Sequence, residues 1–349
     1  MISSTVDLDE IALLRWLEAN AEGFAGPIAV AKFPGGQSNP TYRIDAESGA
    51  YVVRRKPFGV LLPSAHAVDR EYRLISALHA TGFPVPRPFA LCEDTAVIGS
   101  IFYVMEMVEG RIFWNGALPN VAPAERRPIY DAMIDTLAKL HAIDPATIGL
   151  GGFGRTGNYF VRQIDRWTKQ YRAAQTDDIP VIERLIEWLP RTVPEQGRTS
   201  VIHGDYRIDN LIYAFDRPQV AAVLDWELAT IGDPLADFVY LVINWSMTAD
   251  GGPGLSGLDL ASLNLPTMED AVARYCAATG RDRVPDLNWY FSYNLFRLVG
   301  IVQGIKKRQI EGNASSAKAE AIVSRLIPIA ERAWDYAEQL SPISRAEKP

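Results

Sequence analysis

The sequence predicts an α+β chain with a small antiparallel meander first and a mainly helical region after it. Three observations carry this. Short strand-like runs separated by tight turns crowd residues 28–56. Apolar residues recur at helical spacing over long stretches from residue 128 onward. Inside that helical region lies a β island, two of whose apolar runs lead into aspartates, Asp205 and Asp225. Period-two and period-3.6 patterns distinguish the two kinds of element.

Taken in order, residues 7–21 read as an amphipathic helix with Asp7 or Asp9 as its cap. Residues 28–33, 41–44 and 51–56 read as three strands, joined by a Pro34-Gly35-Gly36-Gln37-Ser38-Asn39 loop and an Ala46-Glu47-Ser48-Gly49 turn. A helix over 67–80 carries Val68, Tyr72, Ile75 and Leu78 on one stripe and stops at Gly82 and Pro84. A strand over 101–108 ends at Glu109-Gly110. Helices are then expected over 128–143, 164–174 and 179–189, the β island over 200–224, and further helices over 238–247, 268–279, 289–309 and 318–339. The boundary falls in the hinge 106–110. It separates a strand-rich part, 1–108, from a helical part, 109–349, that contains the β island.

Composition narrows the function classes. Hydrophobic residues make up 48% and charged residues 22%, which suits a globular chain. A net charge of -7 offers no general attraction to nucleic acid or to an anionic membrane. Cys92 and Cys276 lie far apart and read as reduced thiols, and four histidines beside two cysteines argue against a zinc site. The N-terminal residues show no signal-peptide pattern. The most apolar region, 220–245, contains Asp225, Glu227, Asp233 and Asp237 and so does not read as a membrane span. A cytoplasmic location is the expectation.

The strongest chemical signal is Val201-Ile202-His203-Gly204-Asp205-Tyr206-Arg207-Ile208-Asp209-Asn210. An apolar run ends in His-Gly-Asp, and an asparagine follows five residues after the aspartate. Twenty residues after Asp205, a second apolar run ends in Asp225-Trp226-Glu227. Phosphoryl transfer needs a carboxylate to orient and deprotonate the attacking hydroxyl, and divalent metal to neutralise the polyphosphate. Asp205, Asn210 and Asp225 have the residue types and the spacing for both tasks. In the third strand, Val52, Arg54 and Lys56 share a face, and a cation there is expected to pair with nucleotide phosphates. The backbone of Gly35, Gly36, Gln37, Ser38 and Asn39 can approach the same phosphates. Gly149 to Gly154 fits G-x-G-x-x-G literally but follows a helix, so it reads as a plain loop. Asp233 is expected to cap the next helix, Asp237 to brace the catalytic loop, and His203 to brace it as well.

These stretches resemble the aminoglycoside phosphotransferase and choline kinase-like family. The likeness is greatest to the kinase domain fused to, or beside, acyl-CoA dehydrogenases of the family-member-10 and -11 type. It rests on residues 33–42, 53–74, 102–110, 163–171, 203–210, 224–238 and 290–308, in order along nearly the whole chain. The resemblance implies a protein-kinase-like two-lobed fold, with an antiparallel-sheet N-lobe and a mainly helical C-lobe. It implies ATP and Mg²⁺ as cofactors, with GTP as an alternative nucleotide. Asp205 would be the catalytic base, and Arg207 would offset charge in the transition state. Asn210 and Asp225 would hold the metal. Arg54, at a place where many relatives carry lysine, would pair with Glu71, with Lys56 as the alternative. Glu106, Met107 and Val108 would form the adenine-reading hinge.

For the acceptor, Arg166, Trp167, Asn294 and Arg297 are the candidates, with Arg162, Tyr171 and Gln303 near them in the sequence. The arginines suit an anionic acceptor. The resemblance implies transfer to a hydroxyl of a small metabolite such as a hydroxy acid or hydroxyacyl-CoA. Two alternatives stand beside it: an aminoglycoside or choline-type kinase, and a catalytically silent nucleotide-binding partner of an acyl-CoA dehydrogenase.

Overall fold

A computed structural model describes residues 8–33, 39–58, 67–250, 252–285, 287–312 and 317–340. The N-terminal part opens with helix α1 (Glu10–Asn20), whose first turn is closed by Asp9: its Oδ1 accepts the Ala12 N–H at 2.9 Å. Strands β1 (Ile28–Lys32), β2 (Thr41–Ala46) and β3 (Gly49–Arg55) follow, then helix α2 (Val68–His79), β4 (Pro88–Cys92) and β5 (Phe102–Glu106). The five strands form one antiparallel sheet in the order β1-β2-β3-β5-β4.

The sheet has two differently occupied faces because its side chains alternate. Tyr42, Ile44, Tyr51, Val53, Phe102 and Val104 pack with Leu13 and Leu17 of α1 in a small core of their own. On the other face, Val52, Tyr103 and Met105 meet Leu74, Ile75 and Leu78 of α2. That second cluster continues without a break into the helical part, through Phe83, Trp226 and Ile134. The two lobes therefore share one apolar core below α2. The lobes also join at Gly110. A Cβ there would lie 2.3 Å from the Tyr213 carbonyl, so only glycine lets the chain pass. Arg111 and Tyr213 then exchange both backbone hydrogen bonds, at 2.7 and 2.9 Å.

The second lobe contains α3 (Pro123–Ala142), α4 (Tyr159–Ala174) and α5 (Pro180–Trp188), then a β island. In the island, β6 (Ser200–Ile202) pairs with β9 (Thr230–Gly232), and β7 (Leu211–Tyr213) pairs with β8 (Val220–Val223), both antiparallel. After it come α6 (Leu235–Val242), α7 (Met268–Thr279), α8 (Leu287–Ile310), α9 (Ala317–Val323) and α10 (Leu326–Glu338). Helix α7 has a full capping box, in which Thr267 and Asp270 satisfy each other's backbone N–H groups. It ends at Gly280 in the left-handed region. Helix α8 runs through the middle of the lobe, packed by α4, α6 and α10.

The sequence pattern left several features unread. Strand β4 was absent from it, and so was β9. Helix α3 begins at Pro123, not at Pro128, so Pro128 lies inside the helix. The lost Pro128 N–H would have met the carbonyl of Ala124, which is exposed to water and tolerates the loss. The expected single helix over 318–339 is two, broken by a turn at Ser324-Arg325. Residues 149–154 form an irregular loop after α3, as their position predicted.

Candidate active site

The segment 203–210 follows β6, and its conformation depends on one glycine. Gly204 has φ +86°, and a Cβ on it would lie 2.8 Å from the carbonyl of Leu228. The loop is held from below by α6. Asp237, 1% exposed, accepts the N–H of His203 at 2.6 Å and of Gly204 at 2.8 Å. The His141 ring adds an Nε2–Oδ2 contact at 3.5 Å, and His141 Nδ1 lies 2.7 Å from the Tyr275 hydroxyl. Burial works against the Asp237 anion, but His141, His203 and the Gly204 N–H outweigh it and keep the carboxyl below its ordinary range. Burial holds the His141 imidazole below its own ordinary value, which leaves it neutral. The expected bracing role of Asp237 is thus a pair of charge-assisted hydrogen bonds to backbone.

His203 ties this loop to the next aspartate. Its Nδ1 accepts the Asp205 N–H at 3.2 Å, which places the proton on Nε2, and Nε2 donates to the Leu224 carbonyl at 2.8 Å. The ring is fully buried against Trp226, with centroids 4.6 Å apart. Leu224 N–H donates in turn to the Asn210 carbonyl at 2.9 Å. Asp205, Asn210 and Asp225 are therefore locked together through backbone.

The side chains converge as well. Asn210 Nδ2 donates to the Asp205 carbonyl at 2.9 Å and lies 3.3 Å from Asp205 Oδ2. Tyr240 of α6 donates its hydroxyl to Asp205 Oδ1 at 2.8 Å. Arg207 pairs with Asp209 at 2.9 Å and reaches Asp205 Oδ1 at 3.5 Å. Asp225 stands in the left-handed region, at φ 64° and ψ 59°, a cost a non-glycine residue bears where the geometry is needed.

Arg54 links the two lobes. Its Nε lies 3.0 Å from Glu71 Oε2, and its Nη2 lies 3.1 Å from Asp225 Oδ1 and 3.4 Å from Glu227 Oε2. Glu71 is buried in α2, where burial pushes its carboxyl up to about 6 against the pull of Arg54. Lys56, the alternative cation, lies beyond the end of β3 and pairs with Asp69 at 2.8 Å. The structure thus places Arg54, not Lys56, on Glu71.

A cavity of about 530 Å³ opens between the lobes. Its walls include Val52, Met105, Ile212 and Val223, and Arg54, Glu71, Asn210 and Asp225 stand at its polar end. Glu106, Met107 and Val108 form its edge. Among the described residues, no backbone carbonyl accepts the Val108 N–H. Of the residues expected to approach the phosphates, Gly35, Gly36, Gln37 and Ser38 lie outside the described residues, and Asn39 is buried two residues before β2.

Two groups here suit a divalent cation. The Asn210 amide nitrogen is committed to Asp205, which leaves its Oδ1 as an acceptor, and the Asp225 carboxylate is 37% exposed. Among the described residues no cluster of three or more His, Cys, Asp or Glu forms a metal cage. An amide oxygen and one carboxylate beside a polyphosphate are the donors that Mg²⁺ takes when it keeps phosphate and water ligands.

The candidate acceptor residues separate. Arg297 donates to the Gly204 carbonyl at 2.8 Å, with its guanidinium 4.9 Å from the Tyr240 ring and 5.6 Å from the Trp167 ring. Arg166 is exposed, also 5.6 Å from the Trp167 ring, and has no ion pair among the described residues. Asn294 is 3% exposed, and its amide donates to the Tyr290 carbonyl inside the bundle. Gln303 is buried and holds α8 to the end of α4 through Ala174 O and Thr176 Oγ1. Arg162 donates to the carbonyls of Gly157 and Arg155. Tyr171 is fully buried.

Residues 29–287 match the model of the phosphotransferase enzyme family, APH. The chain belongs to that family. It is 44% identical over 340 residues to acyl-CoA dehydrogenase family member 10 of Mus musculus, covering 96% of this chain and 32% of that protein. With acyl-CoA dehydrogenase family member 11 of Homo sapiens it shares 39% identity over 332 residues, covering 93% of this chain and 42% of that protein. The chain thus spans less than half the length of these relatives. A crystal structure from Ralstonia eutropha, provisionally called an aminoglycoside phosphotransferase, superposes with a TM-score of 0.88 at 45% identity, over 95% of this chain and 99% of that one. Spectinomycin phosphotransferase, solved with ADP and spectinomycin, shares the fold at a TM-score of 0.62 and 13% identity, over 93% and 97% of the two chains. The kinase-like two-lobed α+β fold is that of this family. Among the described residues no helix is long and apolar enough to cross a membrane.

Proposed function

We propose that this phosphotransferase is an ATP- and Mg²⁺-dependent kinase that phosphorylates a hydroxyl of a small anionic metabolite, a hydroxy acid or hydroxyacyl-CoA. The observation that carries the reading is the convergence of Asp205, Asn210, Asp225 and the Arg54–Glu71 pair at one end of an apolar cleft.

Val52 and Val223 line the part of the cleft that would receive the adenine, with the backbone of Glu106 to Val108 beside it. Arg54, held by Glu71, would pair with the phosphates in place of Asp225. Asn210 and Asp225 would hold Mg²⁺, which would neutralise charge on the phosphates. Asp205 accepts the proton of the acceptor hydroxyl as that oxygen attacks the γ-phosphorus; the bond to the β-phosphate oxygen breaks and ADP leaves. Arg207, 3.5 Å from Asp205 Oδ1, would offset charge on the transferring group.

The acceptor class rests on charge. Arg166 is exposed beside Trp167 with no ion pair among the described residues, and Arg297 lies against the same ring and the Gly204 carbonyl, so these cations favour an anion over a polycation as acceptor. The acyl-CoA dehydrogenase names of the longer relatives agree with an acyl-type acceptor and make such a dehydrogenase the candidate partner. Asn294 packs the bundle and drops out of the acceptor set.

The test is ADP release with Mg²⁺ and ATP, screened over hydroxy acids, hydroxyacyl-CoAs, choline and aminoglycosides, with Asp205→Asn as control. The expected result is stimulation by an anionic class and a loss of about 10²-fold or more in the variant. Stimulation by the amines alone would refute the acceptor assignment, and full turnover in Asp205→Asn would refute the mechanism.

A further inference from the structure

Helix α6 reaches the catalytic loop twice from one face. Asp237 holds the loop's backbone, and Tyr240, three residues later on the same face, touches the carboxylate itself. The hydroxyl lies 2.8 Å from Asp205 Oδ1, a full-strength O–H to carboxylate hydrogen bond. Asp205 Oδ1 also has Arg207 at 3.5 Å, whereas Oδ2 has only the long Asn210 contact at 3.3 Å among the described residues. A carboxylate has about four acceptor positions, so Oδ2 keeps one open on the side away from Tyr240.

We propose that Tyr240 is a positioning residue for phosphoryl transfer, fixing the Asp205 carboxylate so that Oδ2, not Oδ1, faces the acceptor hydroxyl. The inference rests on the assignment of Asp205 as the base. The tyrosine is itself immobilised. The Arg297 guanidinium lies 4.9 Å from its ring centroid, and the same guanidinium donates to the Gly204 carbonyl. Tyr240 and Arg297 therefore grip adjacent residues of one loop while touching each other. Burial, reinforced by the neighbouring Asp205 charge, keeps the phenol protonated, so toward the carboxylate it is the donor. Aspartate χ2 is broad when nothing restrains it, and a carboxylate free to turn spends part of its time with neither oxygen aligned. Near-attack geometry is sensitive to displacements of this size.

The variant is Tyr240→Phe, which keeps the ring beneath Arg297 and removes one atom. The probe is MgATP with water as the acceptor, read as ADP release, and then the best acceptor from the screen above. The expected result is a kcat lower by about 10-fold or more, with KM for ATP and the unfolding midpoint unchanged. In an Asp205→Asn background the same change is expected to cost less than about 2-fold, because Tyr240 acts through Asp205. A kcat within about 2-fold of the parent overturns the inference. So does a loss of kcat that comes with an equal loss of ATP affinity or stability, which would make Tyr240 a packing residue. Turnover surviving in Asp205→Asn alone would instead overturn the assignment of the base, and the two failures are told apart by which single variant keeps its activity.

Discussion

Arg54 Nε lies 3.0 Å from Glu71 Oε2, across the gap between β3 and α2, and the pair is nearly closed to water. A carboxylate this deep is tolerated because the guanidinium partners it. Arg54 is held at one end by Glu71 and leans at the other on Asp225, in the opposite lobe. Glu71→Ala removes the fixed end and leaves Arg54 to collapse onto Asp225 and Glu227. We expect nucleotide affinity to fall about 10-fold or more, equivalent to about 1.4 kcal/mol. Lys56→Ala, which breaks only a partly exposed pair with Asp69, is expected to stay within about 2-fold. Titration calorimetry with a non-hydrolysable ATP analogue and Mg²⁺ decides between them, and equal losses would return Lys56 to the site.

Asp237 offers a stability prediction. It accepts two backbone N–H groups and touches a neutral His141, all out of contact with water. Asp237→Ala leaves both N–H groups without an acceptor, at about 2–4 kcal/mol. Because those groups belong to His203 and Gly204, the catalytic loop loses its shape first. Urea unfolding is expected to show a lower midpoint, with turnover lost more severely than nucleotide binding. A variant as stable as its parent would mean that water replaces the carboxylate.

The parts of the site legible in the sequence are those fixed by local spacing. Asp205 to Asn210 is one turn of loop, and the second aspartate follows the next hairpin, so residue order alone brings them together. Alternation alone left Arg54 and Lys56 both open, because it puts both on one face, and only the family resemblance favoured Arg54. The choice depends on where β3 ends: Arg54 is inside the strand, opposite Tyr103, and Lys56 is just past it. Tyr240 and Arg297 were illegible as loop contacts, since each meets the loop only once α6 and α8 have packed. In the fold, β4 was missed because it is short and begins with proline, a residue a strand bears at its first position or on a sheet edge, and β4 meets both conditions. Strand β9 has three residues and ends in glycine, too little for any periodicity.

Arg166 tests the acceptor class. It is an exposed cation with no carboxylate partner among the described residues, so replacing it costs little stability, within about 0.5 kcal/mol. With an anionic acceptor, Arg166→Glu is expected to raise the acceptor KM by about 10-fold or more while leaving KM for ATP unchanged. The effect is expected to shrink between 50 mM and 500 mM salt, as screening weakens a surface contact. Steady-state kinetics at the two salt concentrations gives the answer. An unchanged acceptor KM removes Arg166 from the site.

Asp233 carries the pH prediction. It is 2% exposed, and burial pushes its carboxyl up to about 6, against the help of the Leu235 N–H it accepts at 2.9 Å and the charge of Arg281. The folded-state value lies above the ordinary carboxylate value, so folding favours the protonated form. Whatever stability this gives is complete below about pH 4 and is lost as the pH rises through about 6. Above that, the native state holds a buried anion at a cost of about 1–3 kcal/mol. Asp233→Asn keeps an oxygen for the Leu235 N–H and cannot ionise. The variant is therefore expected to match the parent near pH 4 and to be more stable than it at pH 7.5, by up to that amount. Urea unfolding of both proteins at the two pH values measures the difference directly. A variant less stable at pH 7.5 than at pH 4, relative to its parent, would show that the ionised carboxylate is stabilised by Arg281 more than burial penalises it.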